Sequence, residues 1–262
     1  GVKKMRKFTA GSSLLVAAAL AAPSAMAAGK IGLGVAMTPD YEGSDTNEGA
    51  PVLFGHYLWD SGRYVALGGT QEAGKALRVK ANLISNDMSP MWELGPVLQY
   101  RMERDDVDNN RVDRMDKVKG ATELGAFVGF KSGPWAASLT YAKDVSDEHD
   151  GEVTELAGSY KLPMNDNLAL TFGASASYAD SDYMDTYFGV NPGNVSNSNL
   201  PLYSAGSGWK DVGLRVAADY KLNQKWGLQG GLQYYRLMND AKDSPLVDDV
   251  GVRIQLSASV AV

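Results

Sequence analysis

The 262-residue chain contains no cysteine, only two histidines and no run of eighteen consecutive apolar residues. Without cysteine there is neither a disulfide framework nor a thiolate-held metal. A small stapled secreted domain is also disfavoured. Without a long apolar run no transmembrane helix is expected. His56 ("FGHYLW") and His149 ("SDEHDGE") leave little material for nucleophilic or acid–base chemistry. The first falls in an expected strand, and the second in an acidic loop where a solvated role is expected. Neither G-x-S-x-G nor H-E-x-x-H occurs. No catalytic residue, cofactor or metal ligand is therefore assigned, and an enzyme is not expected. Cations are also short: 25 Lys and Arg face 31 Asp and Glu, a net charge of −6. That balance argues against a nucleic-acid partner, because phosphate binding needs a basic face.

What is present begins at the N-terminus. Lys3, Lys4, Arg6 and Lys7 precede the apolar run Leu14–Ala22, which Pro23 breaks, and Ala25-Met26-Ala27 supplies a small-x-small site. A charged start, a short apolar run and such a site predict a cleaved Sec-type signal peptide over residues 1–27. Residues 28–262 are then the exported domain. Removing the four leader cations leaves it at −10.

The exported part alternates. In "KDVGLRVAADYKL", Lys210 to Leu222, one set of every second residue is Val212, Leu214, Val216, Ala218 and Tyr220. The other holds Asp211, Gly213, Arg215 and Asp219. Strict alternation is a strand with one apolar and one polar face. About twelve such segments recur, the weaker ones near 51–59, 64–71, 152–162 and 226–237. Every second connection is short and turn-rich, as at Asp60–Arg63, Lys131–Pro134 and Lys221–Gln224. The connections between them are long and acidic, near 38–50, 103–119, 144–151, 180–209 and 239–249, with one short exception at 72–74. The acidic ones are expected to be solvated loops. Trp59, Trp92, Trp135 and Trp226 stand at the short-turn ends, and Tyr64 begins a strand there, as an interfacial belt would require.

Together these features predict an all-β protein, a transmembrane antiparallel up-and-down β-barrel of about twelve strands in a bacterial outer membrane, with both termini periplasmic. Its surroundings would be outer-membrane lipid and lipopolysaccharide, and the barrel assembly machinery would insert it. Arg78, Lys80, Glu93, Arg101, Glu123, Glu155, Asp211, Arg215, Asp219 and Arg253 are expected to line the lumen. Their mixed signs point to ion-pair networks rather than a single-sign filter. The chain ends in the alternating aliphatic stretch "SASVAV" at Val262, where barrels of this kind usually present an aromatic residue.

Four stretches carry a resemblance: "TPDYEGSD" (38–45), "YMDTYFGV" (183–190), "YSAGSGWKDVGL" (203–214) and "RLMNDAKDSPLV" (236–247). In order and spacing they resemble the MipA/OmpV family, the MltA-interacting proteins of the outer membrane. The resemblance implies a scaffold that links a murein lytic transglycosylase to a murein synthase, and other members are linked to adhesion or stress responses. A small-solute channel is the alternative from the barrel itself. The matching residues Asp40, Tyr41, Glu42, Gly43, Tyr187, Phe188, Gly189, Lys210, Asp211, Asp243, Ser244 and Pro245 are expected to be structural. Tyr41 is expected to cap the apolar band. The longest loop, which holds Tyr187 and Phe188, is expected to fold over the lumen mouth.

Overall fold

In lipid every backbone N–H and C=O must find a partner within the protein, so alternating strands have one stable arrangement, a closed ring. The computed structural model, which describes residues 29–248 and 250–261, has that form. The expected export segment and Val262 lie outside the described residues. Twelve strands run in order: β1 (Gly29–Pro39), β2 (Asn47–Leu58), β3 (Tyr64–Gly69), β4 (Ala76–Asn82), β5 (Trp92–Arg101), β6 (Ala121–Ser132), β7 (Trp135–Asp144), β8 (Glu152–Pro163), β9 (Leu168–Ala179), β10 (Gly208–Lys221), β11 (Trp226–Leu237) and β12 (Val250–Ala261). Each pairs antiparallel with its sequence neighbours, and β1 pairs with β12, from Lys30 opposite Ala261 to Met37 opposite Ile254. The expected twelve-stranded up-and-down barrel is what the structure shows.

The apolar set points outward. Leu33, Val35, Leu214 and Leu256 are all more than 60 % exposed, while Gly213 and Arg215 between them are buried. A band of exposed leucine and valine around a closed barrel makes sense only against hydrocarbon. Trp59, Trp92, Trp135 and Trp226 are exposed at the short-turn rim. Three of them stack edge-on against Tyr57, Phe130 and Tyr160, with ring centroids 4.7–4.9 Å apart. Tyr64 departs from this pattern. It is buried, turned into the lumen, and its hydroxyl donates to Glu93 at 2.9 Å.

The two larger buried hydrophobic clusters lie at the long-loop end, with smaller ones around Phe54 and around Tyr64, Val97 and Phe127. The 180–207 connection carries α2 (Ser181–Phe188) and α3 (Pro192–Ser198). α1 (Asn110–Asp113) lies in the β5–β6 loop and α4 (Asn239–Asp243) in the β11–β12 loop. Asp180 caps α2 through the Tyr183 N–H and Asn191 caps α3 through the Asn194 N–H. Tyr183, Met184 and Phe188 are completely buried against Ala179, Leu237 and Ala241. The longest loop thus folds over the barrel mouth. The first loop is narrower than the sequence suggested, spanning 40–46 because β1 and β2 run further, and 72–74 widens to 70–75.

Leu214→Arg places a cation in mid-strand on the lipid face. A cost of about 2–4 kcal/mol is expected for a charge near the bilayer centre, read as a lower urea midpoint for the barrel folded into vesicles.

Candidate functional site

The lumen is crossed by the connection that looked least informative. Loop 70–75 leaves β3, turns inward and reaches the far wall. The Gln71 and Glu72 N–H groups donate to Glu155 Oε2 at 2.8 and 3.2 Å, and the Ala73 N–H to Asp211 Oδ2 at 3.3 Å. The Gln71 carbonyl accepts from Ser175 Oγ at 3.0 Å and from Gln233 Nε2 at 3.2 Å. Those partners belong to β8, β9, β10 and β11, opposite β3 and β4 in the ring. A loop with its backbone satisfied by four facing strands is a built plug.

Charge fixes the tip of that loop. Lys210 Nζ lies 2.6 Å from Glu72 Oε2 and 2.8 Å from Asp211 Oδ2, and it also pairs with Glu42. Arg101 Nη2 meets the other Glu72 oxygen at 2.7 Å, while its Nε donates to Glu123 Oε1 at 2.6 Å. The Tyr183 hydroxyl donates to Glu42 Oε2 at 2.9 Å, and the Arg101 guanidinium lies 4.8 Å from the centroid of that ring. The cluster ties loop 40–46, loop 70–75 and α2 to β5, β6 and β10. Glu42, Glu72 and Asp211 hold oxygens within 4.8 Å of one another, a spacing that could hold a metal ion. The cation they share is the Lys210 ammonium.

Alternation would have sent Lys210 to the lipid side with Val212. Instead the β9–β10 register shifts between Trp209 and Asp211, and Lys210 is the extra residue. A bulge of this kind re-aims a side chain. Lys210 and Asp211 therefore both turn inward, each with 0 % exposure.

The cluster holds four carboxyl groups against two permanent cations. Burial pushes the Glu42 carboxyl above its usual range; Lys210 pulls the other way, but Glu72 and Asp211 repel. Burial also opposes charge on Glu72, yet Arg101 and Lys210 outweigh it and hold that carboxyl well below the usual range. His149, expected to be solvated, is buried, with Nε2 2.8 Å from Glu123 Oε1. Its Nδ1 accepts the Gly151 N–H at 3.1 Å, so Nε2 carries the proton that Glu123 accepts. Asp144 arranges this acidic loop by accepting the Ser146, Glu148, His149 and Asp150 N–H groups at 2.7–3.0 Å.

The remaining expected residues divide by depth. Arg78 Nη1 pairs with Glu155 Oε1 at 2.8 Å, immediately below the plug. Arg215 and Arg253 are buried, and the Arg253 guanidinium lies 5.2 Å from the Tyr235 ring centroid. Glu93, Lys80 and Asp219 lie nearer the short-turn end, where Asp219 is 3.7 Å from Lys30. Tyr41 does not cap the apolar band. It is buried among Val107, Leu200 and Leu246, with its hydroxyl donating to the Leu246 carbonyl at 2.8 Å. Gly43 has φ of +99° and a Cβ there would lie 2.6 Å from Val247, so this turn needs glycine. Asp40 accepts the Asp108 N–H at 2.6 Å. The Tyr187 carbonyl accepts from Arg104 at 3.0 Å and the Phe188 carbonyl from Ser244 Oγ at 2.6 Å. Gly189 ends α2, while Asp243 and Pro245 end α4 and follow it, Asp243 exposed. Glu42, Glu72, His149 and Lys210 were missed as lumenal groups. The first three lie in loops, and the bulge hid the fourth.

A closed ring of strands with a lipid-facing apolar surface and a buried ionic plug defines the class of outer-membrane β-barrels. Residues 31–262 match the family described as MltA-interacting protein MipA, and the chain belongs to that family. It is 27 % identical over 139 residues to outer membrane protein Omp26La of Vibrio anguillarum, covering 53 % of each chain. Outer membrane protein OmpV of Vibrio cholerae gives the same identity and coverage. The MltA-interacting protein of Escherichia coli K12 is 29 % identical over 109 residues, 42 % of this chain and 43 % of its own. The chain thus spans about half the length of the curated relatives it matches. Among solved structures, the NanC porin aligns over 88 % of this chain and 100 % of its own, with a TM-score of 0.47 and 9 % identity. The translocator domain of the autotransporter NalP from Neisseria meningitidis aligns over 90 % and 88 %, with a TM-score of 0.48 and 10 % identity.

Lys210→Met leaves three buried carboxyl groups without their shared cation. A loss of about 3–5 kcal/mol is expected, the scale for breaking a buried pair, measured as the urea midpoint. Adding Asp211→Asn should recover part of it.

The pH response follows from signs. A depressed carboxyl stabilises the fold above its unfolded pKa and stops doing so only as pH falls through its folded value, so the Glu72 contacts persist in mild acid. Glu42 binds its proton more readily in the fold than in the unfolded chain, so its contribution improves as pH falls through its raised folded value. Burial likewise raises Asp40 and Asp248. Proteolysis of loop 180–207 in vesicles should therefore be no faster at about pH 5 than at about pH 7.

Proposed function

We propose that the protein is a non-enzymatic outer-membrane barrel, closed toward the cell exterior, that serves as a periplasm-facing interaction protein for murein enzymes. The observation that carries this is loop 70–75, bonded across the lumen to four facing strands and anchored by Lys210 and Arg101. A plug with that many buried contacts favours a docking protein over a small-solute channel or a loop-displaying adhesin. This reading takes the short turns to face the periplasm, supported by the sorting of long loops to the opposite end of the barrel. A relative named MltA-interacting protein supports the choice of MltA as a partner.

The short turns are small, but they are not purely polar. Met88 and Met164 are 67 % and 53 % exposed on the connections after β4 and β8. Exposed methionine is an adaptable contact for a protein partner. Crosslinking from native membranes should recover murein enzymes, and Met88→Asp with Met164→Asp should reduce that recovery several-fold. Planar bilayers should show little steady current. A steady current that solutes block, or a pull-down without murein enzymes, would overturn the reading.

A further inference from the structure

Below the plug the lumen changes character. A cavity of about 420 Å³ extends from Ala157, two residues from Glu155 on the same inward face, to the Gly133-Pro134 turn at the short-turn end. That volume lies within the range of small-molecule pockets. Lys30, Lys80, Lys131 and Lys161 line it, from β1, β4, β6 and β8, against the single acid Glu93. In a chain of net charge −6 this is a local reversal of sign. In the plug cluster Lys210 and Arg101 are both paired with acids, whereas in the basin, among the described residues, only two of the four lysines have one within 4.0 Å.

Three of the four lysines lie over aromatic faces. Lys80 Nζ lies 4.6 Å from the Phe127 centroid and 5.8 Å from that of Tyr64. Lys131 Nζ lies 5.2 Å from the Tyr64 centroid and Lys30 Nζ 6.0 Å from that of Phe54. Lys131 also pairs with Glu93, and Lys30 lies 3.7 Å from Asp219. Among the described residues no carboxylate stands within 4.0 Å of the Lys80 or Lys161 ammonium. A ring face positions an ammonium without cancelling its charge. Walls of low dielectric then focus that charge into the basin.

We infer that this basin is a binding site for a small anionic solute, one bearing a carboxylate or phosphate on a ring-sized body. Lys80 and Lys161 take the anionic group, and Phe54 and Tyr64 offer the body an aromatic surface. The plug closes the far side, so the solute enters and leaves by the short-turn end. The basin is a receptor site, not a stage in a path across the membrane, and it requires no murein enzyme to be docked.

The test is calorimetric titration of the detergent-solubilised full chain with glucuronic acid, glucose 6-phosphate and glucose. Saturable binding of at least one anion is expected, weakening as salt is raised, with no binding of glucose. The anion preferred reports whether carboxylate or phosphate is the natural group. Lys80→Met and Lys161→Met should each weaken binding at least ten-fold, whereas Lys117→Gln, on the exposed long-loop side, should leave it unchanged. Lys161 is nearer the rim, so its variant carries the test if Lys80→Met fails to fold. The inference is overturned if neither anion binds at millimolar concentration. Equal binding of glucose, or affinity unchanged in folded lysine variants, would overturn it too.

Discussion

One ammonium group organises the upper half of this molecule. Lys210 Nζ is shared by Glu42, Glu72 and Asp211 with no solvent exposure. A buried cation is costly unless paired, and a buried cluster of carboxylates is costlier still. Each therefore requires the other. Because Glu42 and Glu72 sit on separate loops and Asp211 on a strand, the pairing also fixes where those loops must lie. Arg101 extends it through Glu123 to His149 and another loop. The plug is held by charge that could not be tolerated there in any other arrangement.

The barrel wall and the lumen divide the chemistry cleanly. Outside, leucine and valine meet hydrocarbon, and four of the five tryptophans mark the short-turn rim, with Trp209 at the opposite one. Inside, the long-loop half is closely packed with neutralised charge, and the short-turn half is a lysine-lined basin. A chain whose net charge is negative therefore presents a positive interior at one end only. That end is also where Met88 and Met164 protrude. The features that could meet another molecule lie at the short-turn end, and the features that resist passage lie at the other.

Much of the wall could be read from period-two alternation, because a lipid-facing strand must alternate and few other constraints act on it. β5 is the clearest case, with Trp92, Leu94, Leu98 and Tyr100 exposed and Glu93, Val97, Gln99 and Arg101 buried. Alternation failed at Lys210, where one inserted residue reversed the facing. Tyr64 and Tyr41 misled for a related reason. An aromatic beside a turn suits a membrane rim or a loop core equally, and only packing decides between them. The 70–75 loop was illegible because its role rests on partners far away in sequence, Glu155, Ser175, Asp211 and Gln233. Lys30, Lys131 and Lys161 sit at strand ends, where a short pattern gives little weight to facing.

Those distances in sequence also set an order of events. Lys210 and Glu42 are 168 residues apart, and the Tyr41 hydroxyl reaches a carbonyl 205 residues away. Contacts of that span return nothing until the chain between them has been gathered, and the entropy of closing such loops is met first. Here the gathering is the seam between β1 and β12, which brings loop 40–46 beside the β11–β12 loop. The contacts of Tyr41 and Glu42 therefore depend on that seam being closed. A barrel left open at that seam would carry an unlatched mouth, with the acidic cluster still wet, so the latch records that the ring has closed.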